Sequence, residues 1–86
     1  MDVEMIRTRV RHMVEIGSLP CDEADEVWAG FGDGKRCAAC ANPIVPNEME
    51  YEVDLSSGMT VQLHFRCHQI WLTECQNAVG TGTVPD

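Results

Sequence analysis

Four side chains with metal-binding chemistry stand in two pairs of equal gap: Cys37-Ala-Ala-Cys40 and, after twenty-three residues, His64-Phe-Arg-Cys67. Two thiolates separated by two residues can turn toward one ion in a tight backbone knuckle, and a His/Cys pair with the same gap can close a tetrahedron around Zn²⁺. Four protein ligands leave no open coordination position, which points to a single structural ion; a catalytic zinc usually keeps a water in the fourth place. His68, next to Cys67, is the rival of His64 for the third position, and the spacing together with a strand end at His64 favours His64. Cys21 and Cys75 are left over and read as small buried apolar residues, with a redox role as the alternative.

The rest of the chain must supply the scaffold. At 86 residues it lies in the range where a hydrophobic core alone gives only ~3–5 kcal/mol and a metal often contributes the remainder. The sequence starts at Met1 with no apolar signal core, and no apolar run approaches the roughly 20 residues of a membrane span. The expectation is a soluble, cytoplasmic chain without a membrane partner. In that compartment an odd count of five cysteines favours metal or redox chemistry over a disulfide framework.

Charge narrows the partners. The formal net charge is −8, from 14 acids against 6 Lys and Arg, and binding Zn²⁺ through three thiolates leaves it negative. Such a field repels phosphate backbones, which argues against nucleic acid as the main partner.

Residues 2–16 have helical periodicity, with Val3, Ile6, Val10, Met13 and Val14 on one stripe, Asp2 as the cap and Gly17 as the stop. The polar side carries Arg7, Arg9, Arg11 and His12, either a solvated face with pairs such as Arg11 to Glu15 or a surface for an anionic partner. Cys21 to Val27 gathers Asp22, Glu23, Asp25 and Glu26, which one short helical turn could hold as a solvated acidic surface. Trp28 then leads into Gly30, Gly32 and Gly34, a flexible approach to the knuckle that lacks the Lys-Ser/Thr of a phosphate loop. Turn residues bracket Ile44-Val45. Met49, Tyr51, Val53 and Leu55 alternate with Glu48, Glu50, Glu52 and Asp54, the pattern of a half-buried strand. With Ser56-Ser57-Gly58 as a three-residue loop, Leu55 faces Met59, Val53 faces Val61 and Tyr51 faces Leu63, so both strands support one register. From His64 the pattern becomes helical, with Cys67, Ile70, Trp71 and Cys75 on one face, and Gly80 onward is too polar and glycine-rich to continue it.

A knuckle, a hairpin and a helix whose start holds the last two ligands is similar to the treble-clef zinc finger. The spacing C-x2-C-x23-H-x2-C, with Trp71 beyond it, also resembles the first metal half-site of a LIM domain. No second set of spaced ligands follows, since Cys75 stands alone, and Ala41 occupies the place after the second Cys where such knuckles often have Gly. The likeness covers residues 35–76 and extends to short bacterial zinc-finger proteins.

The expected architecture is therefore a small α+β, treble-clef-like zinc domain: N-terminal helix, zinc knuckle, β-hairpin and C-terminal helix. Residues 1–34 form a helix and connector packed on the finger, residues 35–76 the finger and residues 77–86 a flexible tail, with the first helix closing the core against the hairpin and Trp71. Across the hairpin, Glu50 is placed to accept a proton from the imidazole nitrogen of His64 that does not bind metal. No enzyme site fits. A nucleoside-deaminase arrangement lacks its His-x-Glu, and a treble-clef nuclease lacks hairpin histidines and a basic surface. A CxxC oxidoreductase with Cys37 beside Lys35 and Arg36 is opposed by the second His/Cys pair. The functional expectation is a non-enzymatic module with one structural Zn²⁺ that binds another protein. The alternatives are a thiol or zinc redox switch, and nucleic-acid binding through Arg7, Arg9 and Arg11.

Overall fold

Asp2 opens the first helix, α1 (Val3–Ile16), by accepting a hydrogen bond from the Met5 amide at 3.0 Å. Gly17, at φ 83°, closes it, and the Ser18 and Leu19 amides turn back to the Met13 carbonyl. Both ends thus have the cap chemistry that their residues allow. In the computed structural model, which describes residues 2–83, α1 is followed by β1 (Ala24–Phe31), β2 (Met49–Leu55), β3 (Thr60–His64) and α2 (Phe65–Thr83). The fold is α+β: two helices with a three-stranded antiparallel sheet in the order β1-β2-β3.

The hairpin register matches expectation. Val53 pairs with Val61, Tyr51 with Leu63 and Glu50 with His64, and the loop closes through Leu55 N–H to Met59 O at 2.8 Å, with Gly58 at φ 98°. Val53, Leu55, Val61 and Leu63 are buried on one sheet face. α2 lies across β2 and β3 and contributes Ile70 and Trp71 to the same core.

Three expectations are corrected here. The acidic stretch after Pro20 is not a helical turn, because Ala24–Phe31 extends along β2, pairing Val27 with Val53, Ala29 with Tyr51 and Phe31 with Met49. Backbone pairing outweighs the poor strand preference of its acids because every β1 residue is exposed at the sheet edge, where charge is well solvated. The glycines beyond it are not a loose approach: Gly32 N–H bonds Glu48 O and Gly34 N–H bonds Ile44 O, each at 2.9 Å. A Cβ at Gly32 would collide with the carbonyl oxygens of Ile44 and Val45, so glycine serves close packing there. Finally, α1 packs on α2, and it is α2 that touches the hairpin. Ile6, Val10 and Leu19 still reach the common core.

The helical pattern also runs past Gly80, with α2 continuing to Thr83. The end of the expected flexible tail, residues 84–86, lies outside the described residues.

Candidate metal centre

The knuckle is built by short-range backbone bonds. Ala41 N–H donates to Cys37 O and Cys37 N–H to Asn42 O, both at 2.9 Å, and Arg36 bridges to Pro43. Ala38 N–H donates to Gln62 O at 2.8 Å, which fastens the knuckle to β3. Ala41 takes φ 67° to complete the turn, a left-handed conformation that glycine adopts more readily than alanine. From the other side, His64 ends β3 and Cys67 lies in the first turn of α2, where the helix dipole favours a thiolate.

These elements bring Cys37, Cys40, His64 and Cys67 together, with one ligand atom from each lying within 4.8 Å of all the others. All three cysteines are buried and His64 is half-buried. A tetrahedral site with metal–sulfur bonds of about 2.3 Å and a metal–nitrogen bond of about 2.0 Å needs ligand separations of roughly 3.5–3.8 Å. The Cys40 Sγ to His64 Nδ1 distance is 3.4 Å. The cluster is therefore positioned to bind a metal ion, and its donor set and size are consistent with one zinc.

Electrostatics favours the same use. The Cys37 thiol is driven well below its ordinary value, first by a hydrogen bond with Cys67 and then by the amides of Cys40, His64 and Ala39, against the cost of burial. Cys67 is pushed up, first by that same bond to Cys37, then by burial and the nearby Cys37 and Cys40 charges. One proton is shared where thiolates crowd together, and a divalent cation supplies the charge that replaces it.

The outer contacts of His64 differ from expectation. Its Nε2 lies 3.1 Å from Glu48 Oε1, while Glu50, although directly across the hairpin, leaves its own Oε1 without a partner. Opposed residues on a pleated strand stand side by side, and the ring reaches along the strand to the acid two places away. In the sequence Glu48 was legible only as one of the acids on the wet face of the strand. His68 is not in the cluster: it is buried, its ring stacks on Tyr51 at 5.0 Å, and burial lowers its pKa.

The arginines of the stripe are engaged within the chain while Arg9 and Arg11 stay exposed to solvent. Arg9 Nε donates to Ala39 O at 2.9 Å, tying α1 to the knuckle. Arg11 bonds the Glu74 carboxylate at 3.0 and 3.5 Å, Arg7 Nε lies 3.8 Å from it, and Glu74 is only 4% exposed. The carboxylate that Arg11 bonds is thus Glu74 on α2, and Glu15 acts on it only through its charge. The available sequence signal was that Glu74 follows Ile70 and Trp71 at buried-face spacing.

Cys21 and Cys75 are joined in a disulfide across a sequence separation of 54. They are not independent buried thiols, and the cysteine count no longer argues for a reducing compartment. Among the described residues no helix is long and apolar enough to cross a membrane. No family model, curated protein or solved structure matches the chain.

Proposed function

We propose that the chain is a non-enzymatic interaction module of treble-clef type, held together by one structural Zn²⁺ on Cys37, Cys40, His64 and Cys67, and that its partner is another protein. The observation that carries this reading is the closed donor set. Three sulfurs and His64 Nδ1 face one point, and the remaining ring nitrogen is engaged by Glu48. That leaves no ligand position for substrate water, and both ring nitrogens of His64 are taken. Elemental analysis should return one zinc per chain, and cobalt substitution should give the absorption of a tetrahedral thiolate-rich site. Crosslinking at native expression should recover a protein partner. Repeated absence of any partner, alongside detected turnover, overturns the interaction reading.

A second reading, a thiol or zinc redox switch, draws support from the groove beside Cys40 and His64, about 450 Å³ in volume, which gives a small oxidant a path to the site. Two thiolates would pass two electrons to hydrogen peroxide, forming one S–S bond, taking up two protons to release two waters, and freeing the ion. Peroxide titration with a zinc-sensitive dye separates the readings, since a site that keeps its ion at millimolar oxidant is structural.

A further inference from the structure

β1 is an edge strand whose outer side pairs with nothing among the described residues, and all eight of its residues are exposed. Trp28, opposite Glu52, and Gly30, opposite Glu50, share the sheet face that points away from the core. Gly30 has no side chain, and a Cβ built there meets nothing within 4 Å. The gap above it is a shallow cavity of about 150 Å³ lined by Trp28, Gly30, Glu50 and Glu52. Glu50 is only 8% exposed, and its Oε1 is buried without a hydrogen-bond partner. Buried carboxylate oxygens normally have partners, so this one marks a place where a donor belongs.

We infer that β1 takes an extended, lysine-containing segment of a partner protein as a fourth strand, with the lysine ammonium seated between Trp28, Glu50 and Glu52. This rests on the interaction-module reading and specifies its surface. Neighbouring strands lie about 4.8 Å apart, so an added strand stands roughly 10 Å from β2. A lysine placed opposite Gly30 points to the same face as Glu50, and its four-carbon stem crosses the open lane above Gly30 to reach that carboxylate. The Trp28 ring beside the lane adds the attraction of an aromatic face for a cation. Charge selects a basic segment over a second copy of this chain: Asp25 and Glu26 lie on the free edge, so pairing β1 with itself sets acids against acids in a chain of net charge −8. Strand addition supplies backbone hydrogen bonds, and the cavity supplies side-chain selection.

The test uses the zinc-loaded full chain and a capped, threonine-rich heptapeptide with one central lysine, compared with the same peptide carrying norleucine. The lysine peptide should shift the amide resonances of Val27 to Phe31 and bind about tenfold tighter than the norleucine peptide. Gly30→Leu, whose Cβ has open space around it and whose side chain occupies the lane, and Glu50→Gln should each weaken lysine-peptide binding about tenfold. Gly30→Ala, with zinc content and amide spectrum as controls, serves if the leucine variant folds poorly, and should give a smaller loss. Equal binding of the two peptides, insensitivity to these variants, or a concentration-dependent dimer that closes the β1 edge overturns the inference. If crosslinked partners bind Gly30→Leu and Glu50→Gln undiminished, this surface is wrong and the module reading stands. If the lysine peptide behaves as described but no protein partner exists, the pocket stands and the module reading fails.

Discussion

Glu48 holds His64 from outside the cluster, its Oε1 3.1 Å from Nε2, while Nδ1 faces the Cys40 sulfur. A carboxylate in that place accepts from Nε2–H, the tautomer that leaves the Nδ1 lone pair for the ion. Glu48→Ala should weaken metal affinity by about tenfold, the low end for such contacts because the acid is half exposed. Glu50→Gln should leave affinity unchanged. Competition with a chromophoric chelator measures both, and equal effects of the two substitutions would contradict the assignment.

The disulfide makes a prediction that a count of buried thiols does not. Joining Cys21 to Cys75 closes a long loop, and restricting the unfolded chain over that length is worth about 4 kcal/mol in the chain-entropy picture. Cys75→Ser and reduction of the zinc-loaded protein should lower the urea midpoint by similar amounts, without loss of the ion. A midpoint insensitive to reductant would show that the bond contributes nothing.

Folding of the hairpin and metal binding should be one event. A two-stranded hairpin is marginal in water, β1 adds only an exposed edge, and the knuckle meets Cys67 through the cluster. Structural zinc in small fingers contributes ~10–16 kcal/mol near neutral pH, comparable to or above the whole stability of a small domain. Cys40→Ser or Cys67→Ser, or chelation of the reduced protein, should remove amide-exchange protection from β2 and β3. Protection that survives in metal-free, reduced protein would make the ion an accessory.

The parts legible in the sequence are those with a period or a fixed spacing. α1, the hairpin register and the four ligands carry such signals, and the structure places them together. β1 carries a conflicting one: its acids disfavour a strand, and only the partner β2, far along the chain, makes it one. Glu74 and Arg11 are separated by 63 residues, so their pairing depends on how α1 crosses α2. The Cys21–Cys75 bond has the same cause, a proximity created by the fold.

Ala41 is strained where the knuckle turns, at φ 67° without glycine's freedom. Ala41→Gly should stabilise the zinc-loaded protein by roughly 0.5–1 kcal/mol, the left-handed penalty reduced by glycine's larger unfolded-state entropy. Thermal unfolding at saturating zinc measures this, and a lower midpoint would mean that the Ala41 methyl group contributes packing that outweighs the strain.

Glu50 should cost the fold stability at neutral pH. Burial raises its pKa above the ordinary value of 4.5, and the Asp33 and Glu52 charges push the same way while Lys35 opposes them. A group whose folded pKa is raised stabilises fully below its unfolded pKa, and that contribution is lost as pH rises through the folded value. At neutral pH an ionised Glu50 therefore sits in a place that disfavours its charge, whereas glutamine is neutral throughout. Glu50→Gln should raise the urea midpoint at pH 7.5 and raise it less at pH 5, where part of the parent's carboxyl is already protonated. Taking the difference between variant and parent at saturating zinc cancels the pH dependence of the metal site they share. A stabilising substitution that also weakens lysine-peptide binding is the pattern of a residue retained for a ligand at some cost to the fold. A Glu50→Gln protein less stable than the parent at pH 7.5 would show that the carboxylate is satisfied within the chain, and would remove the ground for placing a cation beside it.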